Sequence, residues 1–169
     1  MIVAVDVDYR DASVVAAAVG FDAWTDADSA IEVIVTSDAP PAAYEPGAFY
    51  RRELPHVHAV LSLLVPPLGA IVVDGYVWLA GDAASESPRP GLGAHLYRAL
   101  GEAVPVIGVA KTAFAGATAI EVVRGASAKP LYVTSAGIEP QVAAEAVRTM
   151  HGEHRIPTLL KRVDQLARA

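Results

Sequence analysis

Cysteine is missing from all 169 residues, which excludes disulfide bonds and thiolate metal sites. Long apolar runs are missing too. No stretch reaches the ~18–20 residues that a membrane-spanning helix requires, and the longest candidate, 57–73, is interrupted by Pro66, Pro67 and Gly69. Nor is there a charged leader before an apolar segment, because Met1 runs straight into the first apolar stretch. A chain without these signals is expected to be cytoplasmic, with no membrane partner. Excess basic charge is also lacking: 13 Lys and Arg face 19 Asp and Glu, a net charge of −6. Non-specific nucleic-acid affinity comes from cations neutralising phosphates, so the sum argues mildly against it. Distribution qualifies that reading, since basic residues gather at Arg51-Arg52, Lys111, Arg124–Lys129 and Arg148–Arg162.

What the chain does have is aliphatic residues in short runs, and 53% of it is hydrophobic. Its length suits one α/β domain spanning 1–169. Val/Ile-rich segments predict strands at 2–7, 12–20, 31–36, 70–75 and 105–110, and a hairpin of 119–123, within an irregular stretch at 112–130, with 131–134. Helical spacing predicts helices at 49–65, 92–103, 140–151 and 157–168, the last two with Pro140 and Pro157 where a first turn tolerates them. The Pro/Gly-rich stretch 37–47 and the small, polar stretch 80–91 read as loops. Together these elements predict a mixed five-stranded sheet flanked by helices.

Three acids stand out because of where they fall. Asp6 and Asp74 end apolar strand-like runs, and Glu53 opens a predicted helix. A carboxylate at the end of a buried run is costly unless it is paired or binds a metal. Carboxylates from separate elements suit Mg²⁺, a hard cation that takes oxygen ligands and often bridges protein acids to phosphate. Each acid alone has a blander reading. Asp6 with Asp8 would be a solvated strand end, Glu53 would complement a helix dipole, and Asp74-Gly75 would be a turn. Their combination favours the metal.

Read in order, DVDY (6–9), YEPGAFYRRELP (44–55), VVDG (72–75), SPRPGLGAHL (87–96), PVIGVAK (105–111) and RIP…D (155–164) resemble the endonuclease V family, the deoxyinosine 3′ endonucleases. The resemblance covers nearly the whole chain. It implies an RNase H-like fold, Mg²⁺ as cofactor with Mn²⁺ as substitute, and cleavage of a phosphodiester near a deaminated adenine, inosine, in DNA or RNA. By position it implies that Asp6, Glu53 and Asp74 are the metal-binding catalytic acids. Tyr44 falls on the family's strand-separating wedge, next to Pro46 and Gly47; Gly75 would let backbone approach nucleic acid, and Lys111 would contact phosphate.

Two departures bear on activity. An ungapped match puts Ala136 where the family has a His, and Tyr76 and Ser87 replace two more, with residues inserted over 76–86. Neither Ala nor Ser titrates near neutral pH. Asp8, on the same strand face as Asp6 by the period of two, is a candidate compensating acid, as are Asp82, Glu86 and Glu139. Two further function classes therefore stand beside the nuclease: a nucleic-acid-binding homologue that has lost turnover, and a hydrolase of small phosphorylated metabolites.

Overall fold

The computed structural model describes residues 1–38, 43, 45–46, 48–82 and 84–169. Its strands are β1 (Ile2–Tyr9), β2 (Val14–Phe21), β3 (Ile31–Ser37), β4 (Ala70–Asp74), β5 (Trp78–Ala80), β6 (Arg89–Pro90), β7 (Val106–Ala110), β8 (Ile120–Val122) and β9 (Leu131–Ala136). Its helices are α1 (Phe49–Leu61), α2 (Leu92–Ala99), α3 (Pro140–Thr149) and α4 (Thr158–Arg168). Seven strands form one sheet in the order β3-β2-β1-β4-β7-β9-β8, and β5 and β6 pair separately.

The sheet has seven strands rather than the five expected. The hairpin glimpsed at 119–123 and 131–134 does form, and β9 pairs with β7, which adds two strands to one edge. Helix α1 stops at Leu61 rather than running to 65. A residue before proline is pushed out of the helical region, so the Pro66-Pro67 pair ends the helix early.

The centre of the sheet is parallel: Val5 of β1 lies beside Val73 of β4, and Asp74 lies beside Val109 of β7. Strand alternation then sorts side chains onto two faces. Val3 and Val5 enter an apolar cluster with Val57 and Val60 of α1 and Leu96 of α2. Ile2 and Ala4 enter the opposite cluster with Ala143 and Val147 of α3 and Leu159 and Val163 of α4. Asp6 continues the second series and Tyr9 the first. Two parallel strands therefore end at the same edge of the sheet, with α1 on one face and α4 on the other.

Candidate active site

Asp6 sits near the end of β1, in the stretch where burial falls from complete to partial. Asp74 is the last residue of β4 and is exposed. Beyond it Gly75 turns the chain at φ +106°, a conformation that favours glycine, and its N–H donates to the Val109 carbonyl at 3.1 Å. A Cβ at Gly75 would meet nothing within 4 Å, so the surface there is open.

Glu53 reaches the site from the other face. The buried residues of α1 are Glu53, Val57, Val60 and Leu61, the i, i+4, i+7, i+8 spacing of a single helical stripe. A carboxylate thus occupies an apolar position, and Glu53 is only 7% exposed. Burial, then the charges of Asp6 and Asp74, raise its pKa to about 8. Burial and the charge of Asp74 raise Asp6 to about 6. Buried carboxylates lift each other's pKa when they share a low-dielectric region without enough countercharge, so the three expected acids form one electrostatic unit.

The countercharge comes from Arg52 at Glu53 and from Lys111 at Asp6 and Asp74. The Lys111 Nζ lies 3.0 Å from Asp74 Oδ2, so the residue expected to meet phosphate instead holds an acid. Arg155 donates to the Lys111 and Pro130 carbonyls and ties the 111 loop to the chain entering α4. Among the described residues no group of three or more His, Cys, Asp or Glu side chains is placed to hold one ion jointly. The donor chemistry suits a hard cation, being oxygen throughout, and the raised pKa values of Asp6 and Glu53 reflect burial first and neighbouring negative charge second. Joint ligation would require side-chain rearrangement and release of Asp74 by Lys111.

Asp164 is a fourth acid that sequence reading included in a motif without giving it a role. It lies on α4 one residue after the buried Val163, raises the pKa of Asp6 through its charge, and pairs with Arg168 at 2.8 Å. The available signal was its position at the edge of the apolar stripe Leu159, Val163, Leu166. Asp6, Asp74 and Asp164 share the wall of a cavity of about 330 Å³ between the sheet and α4.

On the α1 side the packing is close. The Arg52 guanidinium lies 3.9 Å from the centre of the Tyr9 ring, and the Tyr9 hydroxyl and Arg52 Nε are both buried with no hydrogen-bond partner among the described residues. Arg51 faces outward and pairs with Glu45 at 3.5 Å. His95 stacks on Tyr50, with ring centres 3.4 Å apart, and burial lowers its pKa.

The remaining candidates are dispersed. Tyr44 and Gly47 lie outside the described residues, and Pro46 is exposed at a turn before α1. Asp8 bonds Arg10 Nε at 3.3 Å. Asp82 bonds within its own turn, to Ala84 N and Ser85 Oγ, while Glu86 and Ser87 are exposed. Tyr76 donates from its hydroxyl to the Thr112 carbonyl at 2.7 Å and so pins the loop after Lys111. Ala136 pairs with Val106, whereas Asp74 pairs with Val109. Three residues of strand separate those levels, about 10 Å. A His at 136 would sit in the core, away from the acids, and Glu139 follows it at the start of α3.

Fold and site define an α/β protein of RNase H-like type, with acids gathered at one edge of a mixed sheet. The family model for endonuclease V matches residues 1–156, and the chain belongs to that family of nucleases. It is 32% identical to endonuclease V of Streptomyces avermitilis, over 97% of this chain and 77% of that protein. The crystal structure of the Streptomyces avermitilis endonuclease V superposes with a TM-score of 0.74, covering 99% of this chain and 79% of that one. Endonuclease V of Ciona intestinalis, solved in complex with a 24mer DNA containing an inosine followed by a ribo-adenosine, is 18% identical with a TM-score of 0.73. It covers 99% of this chain and 83% of its own, a likeness of fold. Among the described residues no helix is long and apolar enough to cross a membrane.

Proposed function

We propose that this protein is a Mg²⁺-dependent endonuclease that cleaves a phosphodiester near inosine in DNA or RNA, as a cytoplasmic enzyme of nucleic-acid repair. The observation that carries the reading is the electrostatic unit of Asp6, Glu53 and Asp74, three acids from separate elements: burial and then the charge of Asp74 raise the pKa of Asp6, and burial and then the charges of Asp6 and Asp74 raise that of Glu53. Family membership and the inosine-containing DNA in the Ciona structure support the choice of substrate.

Asp6, Glu53 and Asp74 would hold divalent ions, with Asp164 adding negative charge beside Asp6. Bound ions supply Lewis acidity and a lowered pKa for water, the usual contribution of metals to phosphodiester hydrolysis. The chain's own groups do the rest. Glu53 and Asp6 would have to surrender protons to act as ligands, which their raised pKa values would make a pH-dependent step. Lys111, which holds Asp74 at 3.0 Å, would meet a phosphate oxygen once released from it. The open surface at Gly75, where an added Cβ would meet nothing within 4 Å, would admit the strand. Tyr44, two residues before Pro46 and nine before Glu53, is proposed to stack where a base leaves the duplex, offsetting an unstacking cost of about a few kcal/mol.

One observation favours a second reading. Lys111 occupies Asp74, and among the described residues no three acids are placed to share an ion, an arrangement suited to a homologue that binds nucleic acid without turnover. The two readings part in one assay: purified protein, Mg²⁺ or Mn²⁺, and labelled inosine-containing oligonucleotides of DNA and RNA in parallel. Cleavage that disappears in Asp74→Ala establishes the enzyme. Binding without cleavage at every metal concentration establishes the second reading and overturns the first.

A further inference from the structure

Two arginines spend their guanidinium groups on backbone carbonyls rather than on acids. Arg124, just after β8, is buried and donates to the carbonyls of Arg148, Met150, Gly152 and His154. Those carbonyls lie at and beyond the end of α3, where the helix leaves its last carbonyls without internal partners. Gly125 stands beside them at φ +59°, and a Cβ there would collide with the Glu153 carbonyl. The segment 148–155 is thus fixed against the end of β8. Arg155 carries that anchorage one step further. Its Nη2 donates to the Lys111 carbonyl and to the Pro130 carbonyl, the latter at 2.7 Å. Its Nε is buried with no hydrogen-bond partner among the described residues. An unmade buried bond is costly, so the guanidinium is kept there by what Nη2 holds.

Lys111 is the first residue after β7, and its root is held from two directions. Arg155 takes its carbonyl, and the Tyr76 hydroxyl takes the next one, of Thr112, at 2.7 Å. Beyond the backbone, lysine is a compact charge on a flexible four-carbon stem. The pair with Asp74 is 3.0 Å long, and its side chains are 44% and 45% exposed. A pair so exposed gains little from its own attraction, which the entropy of holding a long side chain largely offsets. The contact therefore depends on where the backbone roots the lysine. With the root released, the ammonium would sweep the acid edge instead of resting on one carboxylate.

We propose that Arg155 is a positioning residue: by holding the Lys111 and Pro130 carbonyls it roots Lys111 so that its ammonium rests on Asp74. It thereby sets how readily a divalent cation takes Asp74 and where the freed lysine meets phosphate. Those two consequences rest on the nuclease reading, whereas the coupling of Arg155 to Lys111 stands without it. Arg155 also lines the cavity that Asp6 and Asp74 share, so it could act on a cation as a bare charge. That action would not need Lys111, and the two can be told apart.

The test has two arms. The chain has three lysines, Lys111, Lys129 and Lys161, so the side-chain signals of isotope-labelled lysine are few, and Lys111→Met identifies one set. In metal-free wild type the two ε-methylene protons of Lys111 are expected to be inequivalent, as a held ammonium requires. Arg155→Met keeps the stem, removes the donors and should average them, as Asp74→Asn should. Averaged protons already in the wild type, or an unchanged signal in Arg155→Met, overturn the proposal. Should Arg155→Met fail to melt cooperatively, Arg155→Lys carries the test. Its ammonium lacks the planar fork, so an intermediate signal is expected and a wild-type one overturns the anchor. In the second arm Mn²⁺ binding is measured by calorimetry. Arg155→Met should tighten it about threefold, the low end of coupling within one network, and should lower kcat on an inosine oligonucleotide. Lys111→Met combined with Arg155→Met should bind Mn²⁺ no more tightly than Lys111→Met alone. Additive effects would make Arg155 a bare charge and overturn the positioning role. A protein whose Lys111 signal responds to Arg155→Met, but which neither binds Mn²⁺ nor cuts, removes the nuclease reading and keeps the anchor. One that cuts while its Lys111 signal ignores Arg155→Met does the reverse.

Discussion

Glu53 and Asp6 are carboxylates within one electrostatic unit, yet they belong to different kinds of surface. Glu53 lies in the apolar stripe of a helix, surrounded by Val57 and Val60 along its face and by Tyr9 and Arg52 beside it. Asp6 stands where a buried strand comes out of the core, with an open cavity on its side of the sheet. The first is pushed to about 8 and the second to about 6, in both cases by burial first and neighbouring acids second. Depth of burial therefore sets the order in which the site loses its protons: the strand acid ionises early and the helix acid late. On the proposed function, Glu53 limits when the site can load an ion at neutral pH.

The strongest way to break this comparison is to neutralise each acid in turn and measure cleavage. Asp6→Asn and Glu53→Gln are each expected to lower cleavage of an inosine oligonucleotide by roughly a thousandfold, on the order of losing an aligned electrostatic group. The two should differ in what alkaline pH does to the wild type. Activity should climb from pH 6 towards 8 as Glu53 ionises. A profile already flat above pH 6 would assign the controlling ionisation to Asp6 alone.

Next in size is the pH dependence of stability without metal. Both acids have folded-state pKa values above their ordinary ones, so over the intervening range the unfolded chain sheds protons that the folded chain keeps, and stability falls as pH rises. Asp6 contributes to that fall between about 3.8 and 6, and Glu53 between about 4.5 and 8. Above pH 6 only Glu53 remains. Glu53→Gln should therefore flatten the melting temperature between pH 6 and 8, whereas Asp6→Asn should flatten the lower part of the range. An unaltered slope in Glu53→Gln would mean that this side chain is already ionised in the folded protein.

Divalent ions should reverse that loss. A ligand selective for the folded state adds about 2.7 kcal/mol at a hundredfold excess over Kd, which for a chain of this size is a rise of about 5–10 °C in Tm. The rise should be larger at pH 8 than at pH 6, since the ion competes with protons for Glu53 and Asp6. Lys111→Met frees Asp74 from its cation and should strengthen Mn²⁺ binding while weakening cleavage. A thermal shift indifferent to Mn²⁺ at both pH values would take away the metal.

The contrast between the two sides also explains what could be read from the chain itself. Central strands were legible as Val/Ile runs, and the acids ending them were legible because charge is rare in such runs. The outer strands β8 and β9 were harder, being three and six residues long within an irregular, Gly- and Pro-containing stretch. Glu53 was assigned to the opening of a helix, although its spacing to Val57, Val60 and Leu61 already put it on the buried stripe. The cavity was not legible at all, because it arises from how far α4 stands from β4 and β7, a tertiary distance that no local pattern encodes. Ala136 illustrates the same limit: an ungapped match suggested a missing catalytic group, and only strand register shows that the position lies in the core, remote from the acids.

The smallest effect concerns Asp8. Period-two alternation puts it on the face of Asp6 and made it a candidate to compensate for absent histidines. In the structure its carboxylate faces Arg10, whose guanidinium also donates to the Ala167 and Ala169 carbonyls at the end of α4. An exposed pair of this kind contributes at most about 1 kcal/mol. Asp8→Asn should shift Tm by no more than a few degrees, and it should leave both the Mn²⁺-induced stabilisation and the rate of cleavage close to wild type. If Asp8→Asn instead abolished the Mn²⁺ response, the ligand set would extend two residues along β1. The open side of the site would then have to rearrange far more on loading than the closely packed side.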